Sequence, residues 1–540
     1  MNDTNYGEYK MNKIIGFLIS KEKKEFDIDV FNVGLNRLEI KYGEYYISLW
    51  GIGNIERCKI NGKYSLSFPL HDSLYDRNIL ISFEDGNIIV ENDWLGSIPV
   101  FYNIKDLIVS TLPNLCLRDK TISNEGLANF CEFGYSVFEQ TMFEDVKFMR
   151  YFSKLIITSN HIKIEYKDDQ IHDKAFLAKE TTIEEVVAKM KDYISNIERK
   201  LDGDIVLPTS GGFDSRMLNY LVEDKSKIRS FTYGISKNQS QSTEVVHAKK
   251  ISEIYNTKWE QIELNEFHRY INEWFSIYGF STHLHGMYHI EFYSKILKRH
   301  SFKNPTLLSG IFGDVWAGSI KYKKISTFED VINLGYTHGL NLSLNLLKFE
   351  FNYSSKKKFF EENKNYLIND KFKTVYTIRL KIILISYLTQ IPEYFGMPAW
   401  TPYLNFDIVK AILNLPDEQR KNRNWQRSFF KSVGLNLEDM NLKSDKSNRL
   451  DYEVAKNSNL KPLDVELLSK LIEKKRLIEI NRYLENTKDT SVYASLKNEL
   501  LFIPKIGGLL RRLGFKNEFL KALSEYYVIK AIEKGLKYEC

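Results

Sequence analysis

Residues 205–218 read Ile-Val-Leu-Pro-Thr-Ser-Gly-Gly-Phe-Asp-Ser-Arg-Met-Leu. The apolar run Ile205 to Leu207 predicts a strand. Ser210-Gly211-Gly212 predicts a tight turn, and Met217, Leu218 and Leu221 fall at the spacing of a core-facing helix. Strand, glycine turn and helix together make an anion cradle. Glycine lets the backbone close on a phosphate, and the first helical turn offers N–H groups with no partner of their own. Asp214 stands where a carboxylate can hold Mg²⁺ against a polyphosphate. The lysine-bearing phosphate loop is excluded, because no Lys follows these glycines as Gly-x-x-x-x-Gly-Lys-Ser/Thr requires. A chance Ser/Gly turn is the bland alternative, and six defined positions in strand–turn–helix context weigh against it.

Ser210-Gly211-Gly212-Phe213-Asp214-Ser215 resembles the pyrophosphate loop of the ATP pyrophosphatases. That resemblance implies that the β- and γ-phosphates of ATP are held, the α-phosphate is attacked, and pyrophosphate leaves. A second loop, Leu-Leu-Ser-Gly-Ile-Phe-Gly-Asp-Val-Trp-Ala-Gly at 307–318, again delivers glycines and a carboxylate, Asp314, from an apolar strand. Two carboxylates from two strand ends can share Mg²⁺ on one triphosphate and neutralise the leaving group.

Working outward, residues 1–170 are strand-rich. Ile14 to Ile19, Tyr45 to Trp50, Ile79 to Phe83, Asn87 to Glu91 and Leu155 to Ile164 are β-branched or aromatic runs parted by turns. A short helix is expected at Glu125 to Phe133. From about 183 the period changes: Val187, Met190, Ile194, Ile197 and Leu201 form a helical stripe. Further elements are expected at Ile228 to Ile235 (strand) and Glu244 to Tyr255 (helix). Strands alternating with helices predict a parallel sheet with helices on both faces, and ligands outside its C-terminal strand ends. The Ser/Asn/Gln-rich stretch 236–243 reads as an exposed loop, and from about 320 the chain reads as mostly helical, with breaks at Pro462 and Pro504.

In this order the chain resembles the asparagine synthetase family over residues 12–450. The resemblance implies that Asp214 and Asp314 bind Mg²⁺ and that Ser210, Gly211, Gly212 and Ser215 cradle pyrophosphate. It implies ATP contacts at Thr209, Tyr233, Ser309 and Gly310. Phe231-Thr232-Tyr233-Gly234, Glu244, Ala248, Pro402-Tyr403-Leu404-Asn405 and Leu415-Pro416 match family landmarks. A late catalytic lysine falls at Lys446, with Lys443 as the alternative; it would stabilise charge on the α-phosphate. Either could equally be a solvated surface lysine. Asn92-Asp93-Trp94-Leu95-Gly96-Ser97-Ile98-Pro99-Val100-Phe101-Tyr102, with Gly134, Thr141 and Phe143 to Val146, resembles the family's glutaminase-like domain. The resemblance implies a two-sheet sandwich there, like that of the N-terminal-nucleophile hydrolases.

Two departures matter. The family's glutaminase places a cysteine nucleophile after the initiator Met. Here residue 2 is Asn, an internal start at Met11 would expose Asn12, and no cysteine precedes Cys58. Thr4 could serve only after special processing. A carboxamide cannot form the thioester, so this unit is expected to be a relic or a recognition platform. Around Asp314 the asparagine synthetases place glutamates, where Ile311 and Val315 stand here. Neither can accept a proton or hold an aspartate amine, which puts strict asparagine biosynthesis in doubt. β-Lactam synthetases and lasso-peptide cyclases are similar in keeping the ATP loop without the cysteine, and related chains sit among enzymes that decorate surface polysaccharides. Arg216 reads as a substrate or phosphate contact, or as an exposed first-turn residue. His283, His285 and His289 cluster, the last two at the spacing of one helix face. They read as packed residues or a pocket wall before a zinc site, because His-Glu-x-x-His is absent. The basic–apolar tail Ile506 to Lys516 reads as helix packing before membrane contact.

A chain of 540 residues allows about three or four domains. With 76 basic and 70 acidic side chains, the net charge of +6 demands neither nucleic acid nor an anionic membrane. No apolar run reaches the roughly 18 residues of a membrane span. No basic–apolar leader opens the chain, and Cys58, Cys116, Cys131 and Cys540 are scattered like thiols of a reducing cytoplasm.

The expectation is an α/β protein. Residues 1–170 form a degenerate glutamine amidotransferase-like sandwich of two β-sheets with flanking helices. Residues 171–450 form a doubly wound parallel-sheet ATP-pyrophosphatase domain, and 451–540 a helical extension. With ATP and Mg²⁺ it would adenylate a small-molecule, peptide or glycan-linked carboxylate and pass it to an amine or ammonia. The rival readings are a tRNA-modifying enzyme, for which paired cysteines and a basic face are missing, and a scaffold that binds nucleotide or a partner without turnover. The sequence leaves the oligomeric state open.

Overall fold

The computed structural model describes residues 11–335, 339–485, 499–502, 506–512, 515 and 517–539. Two antiparallel sheets of six strands stack face to face in the first third of the chain. One runs in the order Val146–Phe148, Phe101–Asn103, Ile108–Ser110, Lys13–Ser20, Tyr45–Ile52, Asn36–Tyr42. The other runs Ile162–Tyr166, Ser153–Ile157, Asn87–Asn92, Ile79–Glu84, Lys63–Ser65, Lys59–Ile60. Strand alternation explains the packing. In Lys13–Ser20, Ile14, Phe17 and Ile19 enter the core between the sheets, while Ile15 and Leu18 enter the core on the opposite face. The run 155–164 is not one strand. It breaks at a turn closed by Thr158 N–H on His161 O (3.0 Å) and by the Thr158 hydroxyl.

Thr182 and Glu185 form a reciprocal N-terminal cap on helix Ile183–Glu198, which buries Val186, Met190, Ile194 and Ile197. A five-stranded sheet follows, parallel throughout, in the order Lys258–Gln261, Ile228–Thr232, Ile205–Pro208, Thr306–Leu308, Ala399–Trp400. The second of these stops at Thr232, three residues short of the apolar run. Stretch 236–243 is not simply exposed: Ser236 and Ser242 are buried, and Ser242 Oγ takes the Ile235 N–H at 2.9 Å. Long helices, Asp370–Ile385 and Glu518–Lys537 among them, complete the chain. Pro504 lies outside the described residues. In helix Ile506–Arg512, Ile506 and Leu509 stay exposed (44% and 59%), so packing does not cover them.

One apolar cluster runs from Ile15 through Phe231 and Leu307 to Ile532, crossing both residue 170 and residue 450. A joint of buried charge ties the sandwich to the parallel sheet. Arg77 forks onto Glu393 at 2.8 and 2.8 Å, and Lys13 reaches Leu66 O and lies 3.6 Å from the same carboxylate. Trp94, from the turn after Asn87–Asn92, donates to Leu404 O at 3.0 Å and stacks on Trp316.

Candidate functional site

From Ile205–Pro208 the chain winds outward through 228–232 to 258–261, then returns to 306–308 on the other side. The direction reverses between strands 205–208 and 306–308. Open α/β sheets bind ligands above the strand ends at such a reversal, and these two strands carry the two glycine loops. Thr209 anchors the first loop. Its N–H meets Phe231 O at 2.9 Å, and its hydroxyl takes bonds from Ser230 (2.7 Å) and Asn219 (3.0 Å), so its polar groups face inward. Gly211 has φ +72°, and a Cβ there would lie 2.2 Å from His247 Cβ, so only glycine fits. Helix Phe213–Leu221 starts at Gly212 with no side-chain cap. Ser215 Oγ takes the Ser210 N–H at 3.3 Å and closes the bend.

In the second loop Ser309 N–H meets Trp400 O (2.9 Å), and its hydroxyl accepts Ile311 N–H (3.2 Å). The chain then passes through the left-handed region at Phe312 (φ +59°) into helix Gly313–Trp316. A Cβ on Gly313 would sit 2.6 Å from Asp214 Cγ. The absence of a side chain there lets the second loop close against the Asp214 carboxylate, with Asp314 exposed beside it. Ile311 turns into the core, 2% exposed.

The electrostatics agree with that convergence. Burial raises the Asp214 pKa, and the Asp314 charge raises it further, against a hydrogen bond from Gln426 Nε2 (3.1 Å) and Arg423 Nη1 at 3.8 Å. Tyr403 is pushed up by burial and then by both carboxylates, and its buried hydroxyl meets no hydrogen-bond partner among the described residues. Burial draws Lys381 down to about 8, with Asp314 opposing. Arg423 and Arg427 lie over the Phe213 ring at 4.8 and 5.3 Å. Gln426, Arg423 and Lys381 carry no motif, while Tyr403 lies inside the landmark Pro402-Tyr403-Leu404-Asn405. The basic run Arg420-Lys421-Asn422-Arg423 ahead of helix Asn424–Ser432 was the one other available signal.

Arg216 is neither a ligand contact nor exposed. It is 0% exposed, forks onto Glu438 at 3.0 and 3.0 Å, and bonds Leu435 O and Gly211 O. It fastens the first loop to residues 435–438. Segment 443–446 docks on the start of helix Thr243–Tyr255, where Thr243 N–H meets Asp445 O at 3.1 Å. Lys443 and Lys446 are both exposed. The charge of Lys446 is felt at His247, the residue packed on Gly211.

Tyr233 leaves its strand end into an aromatic wall with Tyr288 (5.7 Å) and His289 (6.1 Å). His285 and His289 do not share a helix face, because the helix begins at Tyr288 between them. His285 Nε2 meets both oxygens of Asp451 at 3.0 and 2.9 Å. Among the described residues no three His, Cys, Asp or Glu side chains gather as a metal site. Asp214 and Asp314 therefore offer two hard oxygen ligands, and any further ones would come from phosphate or water, as Mg²⁺ commonly takes them.

Where the sequence put Asn12, the chain enters the sandwich. Asn12 Oδ1 accepts Asn54 N–H at 2.7 Å, and Lys13 behind it is buried and drawn down to about 8. Cys58, Cys116 and Cys131 are buried thiols, and burial pushes the first two up to about 11 and 12. None has the lowered pKa of a reactive thiolate. Among the described residues no helix is long and apolar enough to cross a membrane.

No family model matches the sequence, and no curated protein does. Of solved structures, 24 chains match. One is the NH3-dependent NAD synthetase from Campylobacter jejuni subsp. jejuni NCTC 11168, in complex with the nitrate ion. It is 15% identical over 38% of this chain and 96% of that chain, with a TM-score of 0.22. A likeness at that level carries no argument about activity.

Proposed function

We propose that the chain is an ATP-dependent, AMP-forming carbon–nitrogen ligase, asparagine synthetase-like and without a working glutaminase. The observation that carries the reading is the meeting of Asp214 and Asp314 between two glycine loops at the sheet's reversal point. The bend Ser210 to Ser215, with its uncapped helix start, suits the β- and γ-phosphates. Ser309 and Gly310 line the neighbouring strand end, and Tyr233 flanks it. The donor set at Asp214 and Asp314 fits Mg²⁺, which when bound supplies charge neutralisation for departing pyrophosphate. Gln426 fixes the rotamer of Asp214, and Arg423 limits the repulsion between the carboxylates.

A substrate carboxylate attacks the α-phosphorus, its oxygen bonding to phosphorus as the bond to pyrophosphate breaks. Lys446, before Lys443, supplies positive charge at the α-phosphate. An amine or ammonia then attacks the acyl carbon, loses a proton, and AMP leaves. The acid is a small-molecule, peptide or glycan-linked carboxylate. With Asn at positions 2 and 12 and no cysteine before Cys58, the scheme takes the amine or ammonia directly rather than from glutamine.

The test is ATP–pyrophosphate exchange with Mg²⁺ over a panel of carboxylates. Exchange and AMP are expected, and Asp214→Asn lowers both by about 10²-fold or more. ADP as product contradicts the scheme. Tight ATP binding with no exchange over the whole panel returns the scaffold reading.

A further inference from the structure

A cavity of about 490 Å³ opens between the sandwich and helices Ser354–Asn363 and Asp370–Ile385. None of its lining comes from either glycine loop, so it is not the nucleotide crevice and does not depend on the ligase reading. Its volume lies in the range of about 300–1,000 Å³ common to small-molecule pockets. Phe138, Phe148, Phe359, Leu380 and Ile383 make the walls apolar.

Most charges at the rim are already satisfied. Arg379 forks onto Asp169 at 2.5 and 3.1 Å. Lys358 lies 3.9 Å from Glu362. Glu125 takes the N–H and hydroxyl of Ser355, both at 2.8 Å. Glu139 takes the Tyr166 hydroxyl at 2.8 Å. Two cations make no direct ion pair among the described residues, though carboxylates act on both through space. Arg150 is wedged by Tyr151 and Tyr166 (4.9 and 4.6 Å to the ring centres) and feels the Glu139 charge, and its buried Nε meets no hydrogen-bond partner among the described residues. Lys147 is half-buried and feels Glu144, Asp145 and Glu125 without a direct ion pair among the described residues. The backbone is unusual at the same place. Phe138 and Glu139, both in the lining, are consecutive left-handed residues with φ +54° and +62°. Side-chain-bearing residues hold that conformation at a cost, and such strain gathers at ligand sites.

We propose that this cavity binds an amphipathic organic anion, its aromatic or aliphatic body between Phe138, Phe148 and Phe359 and its acidic head on Arg150 and Lys147. The two cations supply the head-group recognition, charge-assisted and partly desolvated, in competition with the nearby Glu125 and Glu139 carboxylates. The apolar walls supply most of the burial.

The probe is 1-anilinonaphthalene-8-sulfonate, titrated into the full chain and followed by its emission. Saturable binding at one site is expected, weakened about tenfold by Arg150→Met and by Lys147→Met, with near-UV circular dichroism unchanged. N-phenyl-1-naphthylamine, which has a similar body and no sulfonate, is expected to bind wild type and both variants alike. Lys147 is half-buried, so Lys147→Met decides the matter if Arg150→Met fails to fold. Equal probe affinity in wild type and the folded variants overturns the proposal. So does displacement of the probe by Mg²⁺-ATP, which would put it in the crevice above the sheet.

Discussion

His283 and His289 each bury a ring nitrogen that meets no hydrogen-bond partner among the described residues. Burial, and then the charge of His285, pulls both down to about 3. His268 and His71 are drawn to about 4, again chiefly by burial. An unfolded histidine titrates near 6.5 (about). Below that pH the unfolded chain takes up protons that the folded one refuses, so stability falls as pH drops from about 6.5 toward these folded values. His285 opposes the trend: burial lowers it, but Asp451 outweighs burial and holds it above its ordinary value. His289→Phe keeps a flat ring against Tyr387 (4.9 Å in the native pair) and removes one such proton. The slope of unfolding free energy against pH should flatten between pH ~4 and ~6 by about 1.4 kcal/mol per pH unit. Urea midpoints across that range test it, and an unchanged slope would count against the burial argument. At this scale the sequence was legible where a residue acts through its own backbone, as Gly211 and Gly212 do. It was illegible where the partner is remote. Nothing near Arg216 announces residues 435–438, and nothing near Asp214 announces Gln426.

Helix Asp370–Ile385 works on two fronts. Arg379 donates to Trp94 O at 2.8 Å and to Asp169, while Lys381 lies within reach of the Asp314 field. Asp169 sits 7% exposed, and although burial acts to raise its pKa, Arg379 overrides it and keeps the carboxylate charged. Arg379→Met strands that charge and should cost about 3–5 kcal/mol in urea unfolding. Adding Asp169→Asn should recover part of the loss, and a double variant no better than the single one would argue against the pairing. Helix Ile183–Glu198 and strand Lys13–Ser20 were legible because each repeats its period several times. Strands Lys59–Ile60 and Ala399–Trp400 were not, because two residues hold no period. The second exists because Leu307 and Ser309 need backbone acceptors, which they find in Pro398 O and Trp400 O.

For the whole molecule, the apolar cluster from Ile15 to Ile532 and the Lys13–Glu393–Arg77 joint make the sandwich a wall of the sheet. Unfolding should therefore give one calorimetric transition, and two resolved peaks would show that the halves stand alone. The parallel sheet was foreseeable from alternating patterns. Its strand order was not, since order depends on which edge each crossover chooses. The site inherits that order, because the two aspartates meet only if strands 205–208 and 306–308 are neighbours. Trp94 and Trp316 stack at 6.1 Å and 22° across the boundary, the latter two residues beyond Asp314. Indoles this close share their excited states, so the chain carries its own optical gauge of whether its two halves are seated together.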